Sequence, residues 1–170
     1  DGYNPLKAGQ FATPSGKCEF YSDTLLQAGR DPLPTYEPLV EANYGNGARA
    51  PLHLVSAKTS HFLNSEYVNL RHKGTAKHEP EVEINPVDAE AREITDGTLI
   101  RMFNRYGEVQ VRASVSDVTK PGVVYMPFNW WPASTPNGIS SANALTPDGL
   151  ARSKIGSDAF DAHVEIAKVV

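Results

Sequence analysis

The feature that most constrains this chain is a series of short apolar segments after residue 50, separated by glycine and proline turns. In the stretch 109–115, apolar and polar residues alternate at every position, which is typical of a strand with one buried face. Similar patterns predict five more strands, at 52–55, 81–84, 99–103, 123–126 and 164–169. Six short strands favour a small closed β-barrel, because closure leaves no exposed sheet edge.

One helix is predicted between the second and third strands. Asn85 is a good N-cap and Pro86 fits the first helical position, so the helix extends from there to about Arg92. A β-sandwich is the rival architecture, but it accommodates such a helix poorly. Turns are predicted at 96–97 and at 105–107, where Gly107 is able to take a positive φ. We therefore predict a mainly β domain over residues 51–170.

Residues 1–50 have a different character. Six of the 13 prolines fall within the first 51 positions, and each of them disfavours a helix in the residue before it. The segment predicts an extended arm with a short strand over 17–21 and a short helix capped by Ser22 and ended by Gly29. Because it has few periodic apolar residues, the arm needs a larger body to lie against.

The composition excludes several classes of protein. Acidic residues outnumber basic ones by 20 to 16, which gives a net charge of −4 and argues against a nucleic-acid binder. The single cysteine, Cys18, excludes a multi-cysteine metal or cluster site within this chain. No apolar stretch approaches the roughly 20 residues of a membrane-spanning helix. The chain begins at Asp1, so we expect a piece of a longer protein, whose compartment (cytoplasmic or periplasmic) the sequence leaves open.

The loop after the first strand concentrates a cation, hydroxyls, an imidazole and an amide. Such groups could hold phosphate oxygens by charge and hydrogen bonding. A solvated polar loop is the alternative. The histidine spacings match no helix-based ligand pair, so no metal site is predicted. The loop reads Ser56-Ala57-Lys58-Thr59-Ser60-His61-Phe62-Leu63-Asn64-Ser65.

A second candidate region begins at Trp130 and Trp131, two adjacent tryptophans in a proline-rich loop. We do not expect both rings in one core, and they could wall a pocket for a flat ring system or a partner surface. Asn143 offers the paired donor and acceptor that the edge of a heterocycle requires. Packing of the loop against the barrel mouth is the alternative. No nucleophile elbow, P-loop or dinucleotide fingerprint occurs, so no catalytic residue is predicted.

Taken in order, these segments resemble the C-terminal molybdopterin dinucleotide-binding domain of the molybdopterin oxidoreductases. That family includes formate dehydrogenases, nitrate reductases and thiosulfate or polysulfide reductases. The stretch 152–158 departs from the family pattern, so we assign no contact there. The segments that carry the resemblance lie at 13–22, 61–65, 84–89, 94–100, 122–124, 130–131, 143–146 and 160–166.

The resemblance implies a six-stranded double-psi β-barrel that orients a bis-molybdopterin guanine dinucleotide, with molybdenum or tungsten, for two-electron redox chemistry. It implies upstream catalytic domains that carry the metal ligand and any iron–sulfur cluster, and electron-transfer subunits as further partners. Within the family, the sequence around 61–64 is similar to that of the formate dehydrogenases. By position, the resemblance assigns cofactor contacts to Ser56, Lys58, Thr59, His61, Asn64, Trp130, Asn143 and Thr146.

Two alternatives stay open at this point. The first is a protein-interaction double-psi barrel of the kind that recruits substrates to some ATPases. Its barrel core would be the same, and the tryptophans with the His61 loop would form a protein-binding surface. The second is a self-processing, decarboxylase-like barrel with Gly156-Ser157 as the cleavage pair.

Overall fold

The structure is a computed structural model. It describes residues 6, 8–33, 35, 50–58, 63–64, 66, 80–128, 130–131, 141–146 and 162–169. The chain divides into two compact units, Asp1–Pro38 and Leu39–Val170. The predicted boundary after residue 50 stays a prediction, because residues 36–49 lie outside the described part. Among the described residues, no helix is long and apolar enough to cross a membrane.

The first unit contains the short helix α1 (Asp23–Gln27). The Ser22 hydroxyl accepts a hydrogen bond from the Leu25 amide at 3.3 Å, and Gly29 beyond the helix has φ +70°, as the sequence predicts. The predicted strand over 17–21 is wrong, since no strand forms there. Local turn contacts take its place: the Thr13 hydroxyl donates to the Lys17 carbonyl at 2.6 Å.

The second unit is the barrel. All six strands predicted after residue 50 are present. The helix after the second strand ends two residues earlier than predicted. A 3₁₀ helix, which the sequence did not reveal, lies between the last two strands. The elements are β1 (Leu52–Val55), β2 (Glu81–Ile84), α2 (Pro86–Glu90), β3 (Leu99–Phe103), β4 (Glu108–Val115), β5 (Val123–Tyr125), the 3₁₀ helix (Ala142–Leu145) and β6 (Ala162–Lys168).

The six strands close in the order β1-β5-β2-β4-β3-β6. The pairs β1–β5 and β2–β4 are parallel and the other four are antiparallel. Exchanging β1, β2 and β3 with β4, β5 and β6 leaves this pattern unchanged, so the barrel has an internal two-fold relationship. The double-psi barrel is confirmed. Under the same exchange, α2 and the 3₁₀ helix take equivalent positions, since each follows the middle strand of its half.

Alternating side chains of the strands fill the barrel interior. In β4 the pattern of buried and exposed positions follows the alternation in the sequence, and burying one such aliphatic side chain contributes about 1.5–3 kcal/mol. Closure makes this burial possible with strands as short as three residues. The most deeply buried side chains are Leu52, Leu54, Val82, Ile84, Ile100, Met102, Val109, Val111, Val124, Met126, Leu145 and Val164.

Polar contacts fix α2 against the barrel. The Asn85 side chain accepts from the Val87 amide at 3.0 Å and donates to the Thr119 carbonyl at 2.7 Å. The Asp88 carboxylate accepts from the Gly122 amide at 2.7 Å. The predicted cap is therefore confirmed, and it also ties the helix start to the loop between β4 and β5.

Gly107 differs from its prediction. Its φ is not positive; among the described glycines of the second unit, Gly97 has φ +75° and Gly122 has φ +82°. A Cβ at Gly107 would instead lie 2.7 Å from the carbonyl oxygen of Ala144 in the 3₁₀ helix. Glycine is needed here for close approach of the backbone rather than for its dihedral freedom.

Candidate functional site

Strand direction brings the candidate segments to one end of the barrel. β1, β3 and β5 finish at the same end, because β5 is parallel to β1 while β1 and β3 are both antiparallel to β6. Segments 56–58, 104–107 and 126–128 leave the barrel there, and we call it the loop end. β2 and β4 finish at the opposite end, which carries α2 and is called the helix end.

The segments that follow β1 and β5 continue side by side beyond the strands. The Met126 amide donates to the Val55 carbonyl at 3.0 Å, and the Phe128 amide donates to the Ala57 carbonyl at 3.4 Å. The Ser56 hydroxyl donates to the Met126 carbonyl at 2.9 Å. Ser56 is half-buried and its proton is engaged in this link, so its hydroxyl oxygen stays available as an acceptor.

Lys58 is exposed just beyond this link. Its backbone carbonyl accepts from the Tyr125 hydroxyl at 3.5 Å. Burial raises the pKa of Tyr125, and the nearby Glu83 carboxylate raises that pKa further. Tyr125 therefore stays protonated and able to donate near neutral pH, which holds the backbone of Lys58 while its ammonium remains in solvent.

The two tryptophans are divided as the sequence predicts. Trp130 is buried, with 8% of its surface exposed, whereas Trp131 is 48% exposed. Trp130 thus anchors the segment after β5 in the protein. Trp131 keeps about half of its surface in solvent beyond the segment that leaves β5, and a partly exposed indole can pack against an aromatic ring.

Asn64 lies in a tight turn. Leu63 and Glu66 form a β-bridge, the Glu66 amide donates to the Leu63 carbonyl at 2.9 Å, and Asn64 has φ +54°. Asparagine is among the few residues that adopt this left-handed conformation readily. The residue is exposed.

The 3₁₀ helix carries the last two candidates. Its N-cap Ser141 accepts from the Asn143 amide at 3.3 Å, and the Thr146 hydroxyl donates to the Asn143 carbonyl at 3.2 Å. Ala142 and Leu145 are buried, so the helix is fixed in the core while Asn143 is exposed. The side-chain amide of Asn143 is therefore presented outward from a rigid base.

Of the eight predicted cofactor contacts, Thr59 and His61 lie outside the described residues. Ser56, Lys58, Trp130, Asn143 and Thr146 belong to segments of the loop end. Asn64 lies further along the segment that leaves β1.

Sequence reasoning missed Asn104. Its side-chain Nδ2 donates to the Leu145 carbonyl at 2.7 Å and to the His163 carbonyl at 3.0 Å, joining the β3–β4 turn to the 3₁₀ helix and to β6. The only signal was an asparagine ahead of a turn, and its partners lie 41 and 59 residues away along the chain.

The histidines provide no ligand cluster in the part of the chain that the structure describes. His53 stacks on His163 across β1 and β6, with ring centroids 5.0 Å apart and planes 9° from parallel. No group of three or more metal-ligating side chains occurs among the described residues. His61, His72 and His78 lie outside them.

Residues 52–159 match the family model described as "Molydopterin dinucleotide binding domain". The match begins at the first residue of β1 and takes in β1 to β5 and the 3₁₀ helix. This chain belongs to that family. All eight predicted contact residues of this molybdopterin dinucleotide-binding domain fall inside the matched stretch.

Named relatives agree with the family. The chain is 38% identical to the probable oxidoreductase YoaE of Bacillus subtilis over 97% of its own length and 23% of that protein. It is 38% identical to a dimethyl sulfoxide/trimethylamine N-oxide reductase of Cereibacter sphaeroides, over 76% of this chain and 16% of the reductase. It is 34% identical to trimethylamine-N-oxide reductase 1 of Escherichia coli, over 92% of this chain and 20% of that enzyme. The chain thus spans less than a quarter of these relatives.

Among solved structures, the acetylene hydratase of Pelobacter acetylenicus shares the fold, with a TM-score of 0.78 over 98% of this chain and 25% of the hydratase. At 19% identity, this likeness supports the fold alone. The recognition of a molybdopterin dinucleotide-binding domain of molybdenum oxidoreductases is confirmed. The ATPase-recruiting alternative is not favoured. The lean toward formate dehydrogenases stays a prediction, since the two related reductases are named for dimethyl sulfoxide and trimethylamine N-oxide.

Proposed function

We propose that the loop end of this domain binds the dinucleotide parts of a bis-molybdopterin guanine dinucleotide within a longer molybdenum or tungsten oxidoreductase. The observation that carries the proposal is the junction of two strand ends, with the Ser56 hydroxyl 2.9 Å from the Met126 carbonyl. That junction brings the loop after β1 and the loop after β5 to one place. A ligand with phosphates and two ring systems needs such a composite surface.

The chemistry of the side chains at the loop end fits this ligand. The exposed ammonium of Lys58 suits a phosphate oxygen, because an ionised donor gives a strong, charge-assisted hydrogen bond. The amide of Asn143 provides a donor and an acceptor for the edge of a pterin or guanine ring. The exposed face of Trp131 suits a ring that lies flat on it.

Other candidates support the surface instead of forming it. Ser56 links the two loops, and Trp130 anchors one of them. The Thr146 hydroxyl braces the 3₁₀ helix and keeps its oxygen lone pairs as acceptors. When bound, the cofactor supplies the two-electron redox chemistry, and the described residues bind and orient it.

We also propose that the first unit packs against other parts of the longer protein. None of its described residues is buried, and five large apolar side chains are exposed. Burial of such side chains against a partner stabilises an interface. The upstream catalytic domains, with the metal ligand and any iron–sulfur cluster, would cover them, and electron-transfer subunits are proposed as further partners. The exposed residues are Leu6, Phe20, Tyr21, Leu26 and Leu33.

A matched pair of lysine variants tests the binding surface. Lys58 follows β1 at the loop end. Lys120 is also exposed and lies in the loop after β4, the counterpart of β1, at the helix end. In the full-length protein, we expect Lys58→Ala to speed the release of pterin dinucleotide by about tenfold, the usual order for one charge-assisted contact, and Lys120→Ala to leave it unchanged. Equal release rates in the two variants would overturn the assignment of the loop end.

A further inference from the structure

The turn between β3 and β4 is built into the loop end more tightly than a surface hairpin requires. It spans residues 104–107, and the Asn104 amide closes it by donating to the Gly107 carbonyl at 3.0 Å. The Asn104 Oδ1 accepts from the Tyr106 amide at 2.9 Å. The Oδ1 atom of Asn104 therefore stabilises the turn itself.

The other side of Asn104 reaches out of the turn. Its Nδ2 donates to the carbonyls of Leu145 and His163, at 2.7 and 3.0 Å. The Leu145 carbonyl belongs to the last residue of the 3₁₀ helix, whose own short ladder leaves its final carbonyls without helical partners. Asn104 supplies the missing donor and fixes the C-terminal end of that helix.

Gly107 makes the second contact. Its Cα faces the Ala144 carbonyl so closely that an added Cβ would lie 2.7 Å from the oxygen, a distance that real Cβ atoms essentially never show. The obstructing atom is backbone, so relief requires movement of the 3₁₀ helix or of the turn. Two adjacent carbonyls of the 3₁₀ helix, those of Ala144 and Leu145, are thus set by the same turn.

We infer that Asn104 and Gly107 are positioning residues, which orient Asn143 and Thr146 for the ligand by fixing the 3₁₀ helix. The effect of the two residues on ligand binding rests on the proposed function of the loop end. Its structural part, the control of the 3₁₀ helix by the turn, stands on the contacts alone. Neither residue needs to touch the ligand.

The experiment compares Gly107→Ala with Gly97→Ala. Gly97 lies at the helix end before β3, where nothing is within 4 Å of an added Cβ, but its φ of +75° makes alanine strained. Both variants are therefore expected to lose stability, because alanine is strained at position 97 and meets the Ala144 carbonyl at position 107. Only Gly107→Ala is expected to displace the 3₁₀ helix, because only its added Cβ meets the backbone of that helix.

Two readouts separate the outcomes. In amide NMR spectra of the 170-residue chain, Gly107→Ala should shift the backbone and side-chain amides of Asn143, and Gly97→Ala should leave them in place. In the full-length protein, Gly107→Ala should release pterin dinucleotide about tenfold faster than Gly97→Ala. Unmoved Asn143 resonances would overturn the inference.

Asn104→Asp provides the conservative variant, since it keeps the acceptor for Tyr106 and loses the donor to Leu145. It should reproduce the Asn143 shifts and the faster release. Shifted Asn143 resonances with unchanged release in both variants would support control of the helix but contradict the proposed role of Asn143 in binding. Wild-type release that is too weak to measure would count against the proposed function alone, with the NMR result still deciding the inference.

Discussion

The Nε of Arg92 donates to Oε1 of Glu165 at 2.6 Å, which joins the residue just beyond α2 to the middle of β6. Arg92 also donates to the Asp88 carbonyl at 3.1 Å, and the same Glu165 oxygen accepts from the Ile166 amide at 2.9 Å. Both side chains are largely shielded from solvent, with 19% and 27% of their surfaces exposed. The pair therefore holds the segment after α2 against the wall of the barrel.

Removing Arg92 should destabilise the barrel. Arg92→Ala leaves the Glu165 carboxylate partly buried without its cation, which costs about 1–3 kcal/mol in the free energy of unfolding measured with urea. Arg101→Ala is the control, because Arg101 and Glu108 form a similar pair at 3.4 Å with about half of each side chain exposed, at 44% and 47%. We expect about 0–1 kcal/mol there. Equal losses would show that the Arg92 pair is only a surface contact.

The Asn85 cap should matter more than the Ser22 cap. Asn85→Ala removes the cap of α2 and leaves the buried carbonyl of Thr119 without its donor. We therefore expect the free energy of unfolding to fall by about 1–3 kcal/mol. Asn85→Asp keeps the capping acceptor but places a carboxylate oxygen opposite the Thr119 carbonyl, in place of the donor. Ser22→Ala removes the cap of α1, a helix with no buried residues. It should therefore leave the main unfolding transition unchanged. A larger effect at Ser22 than at Asn85 would contradict this ranking.

Alkaline pH should weaken the barrel through Tyr125. Burial, then the Glu83 carboxylate, raises the pKa of this phenol in the folded chain, so the folded state favours the protonated form. That stabilisation is complete below the ordinary tyrosine pKa of about 10 and is lost as the pH rises through the folded pKa. Tyr125→Phe should flatten the decline of the urea midpoint above about pH 9.5. An identical decline in the variant would exclude Tyr125 as its source.

The two tryptophans should separate stability from binding. Trp130→Ala removes a buried ring and should cost about 3–5 kcal/mol, as large-to-small changes in a core do. Trp131→Ala should cost far less, because about half of that ring is already in solvent, at 48% exposure. In the full-length protein, we expect Trp131→Ala to speed cofactor release with an unchanged melting temperature. Unchanged release would remove Trp131 from the binding surface.

Much of the barrel can be predicted from local sequence. Alternation over 109–115 and the capping signal at Asn85 depend on neighbouring residues, and the structure reproduces both. The strand order cannot be obtained in this way, because it follows from packing of the whole chain. The predicted strand over 17–21 was wrong for the same reason: alternation alone supplies no partner strand.

The site shows the same limit. Its polar loops are visible in the sequence, but the contacts that fix them join residues far apart in the chain. Ser56 and Met126 are 70 residues apart, and Asn104 and His163 are 59 apart. The need for glycine at position 107 is set by the Ala144 carbonyl and not by its own turn. No local pattern records such contacts.

The most direct test of the central claim is hydrogen–deuterium exchange on the full-length protein, with its cofactor and after the cofactor has been removed. We expect bound cofactor to slow exchange in peptides that cover residues 56–58 and 141–146 at the loop end. Peptides that cover 86–90 and 116–121 at the helix end serve as the internal control and should exchange equally in both states. Protection at the helix end with none at the loop end would contradict the account.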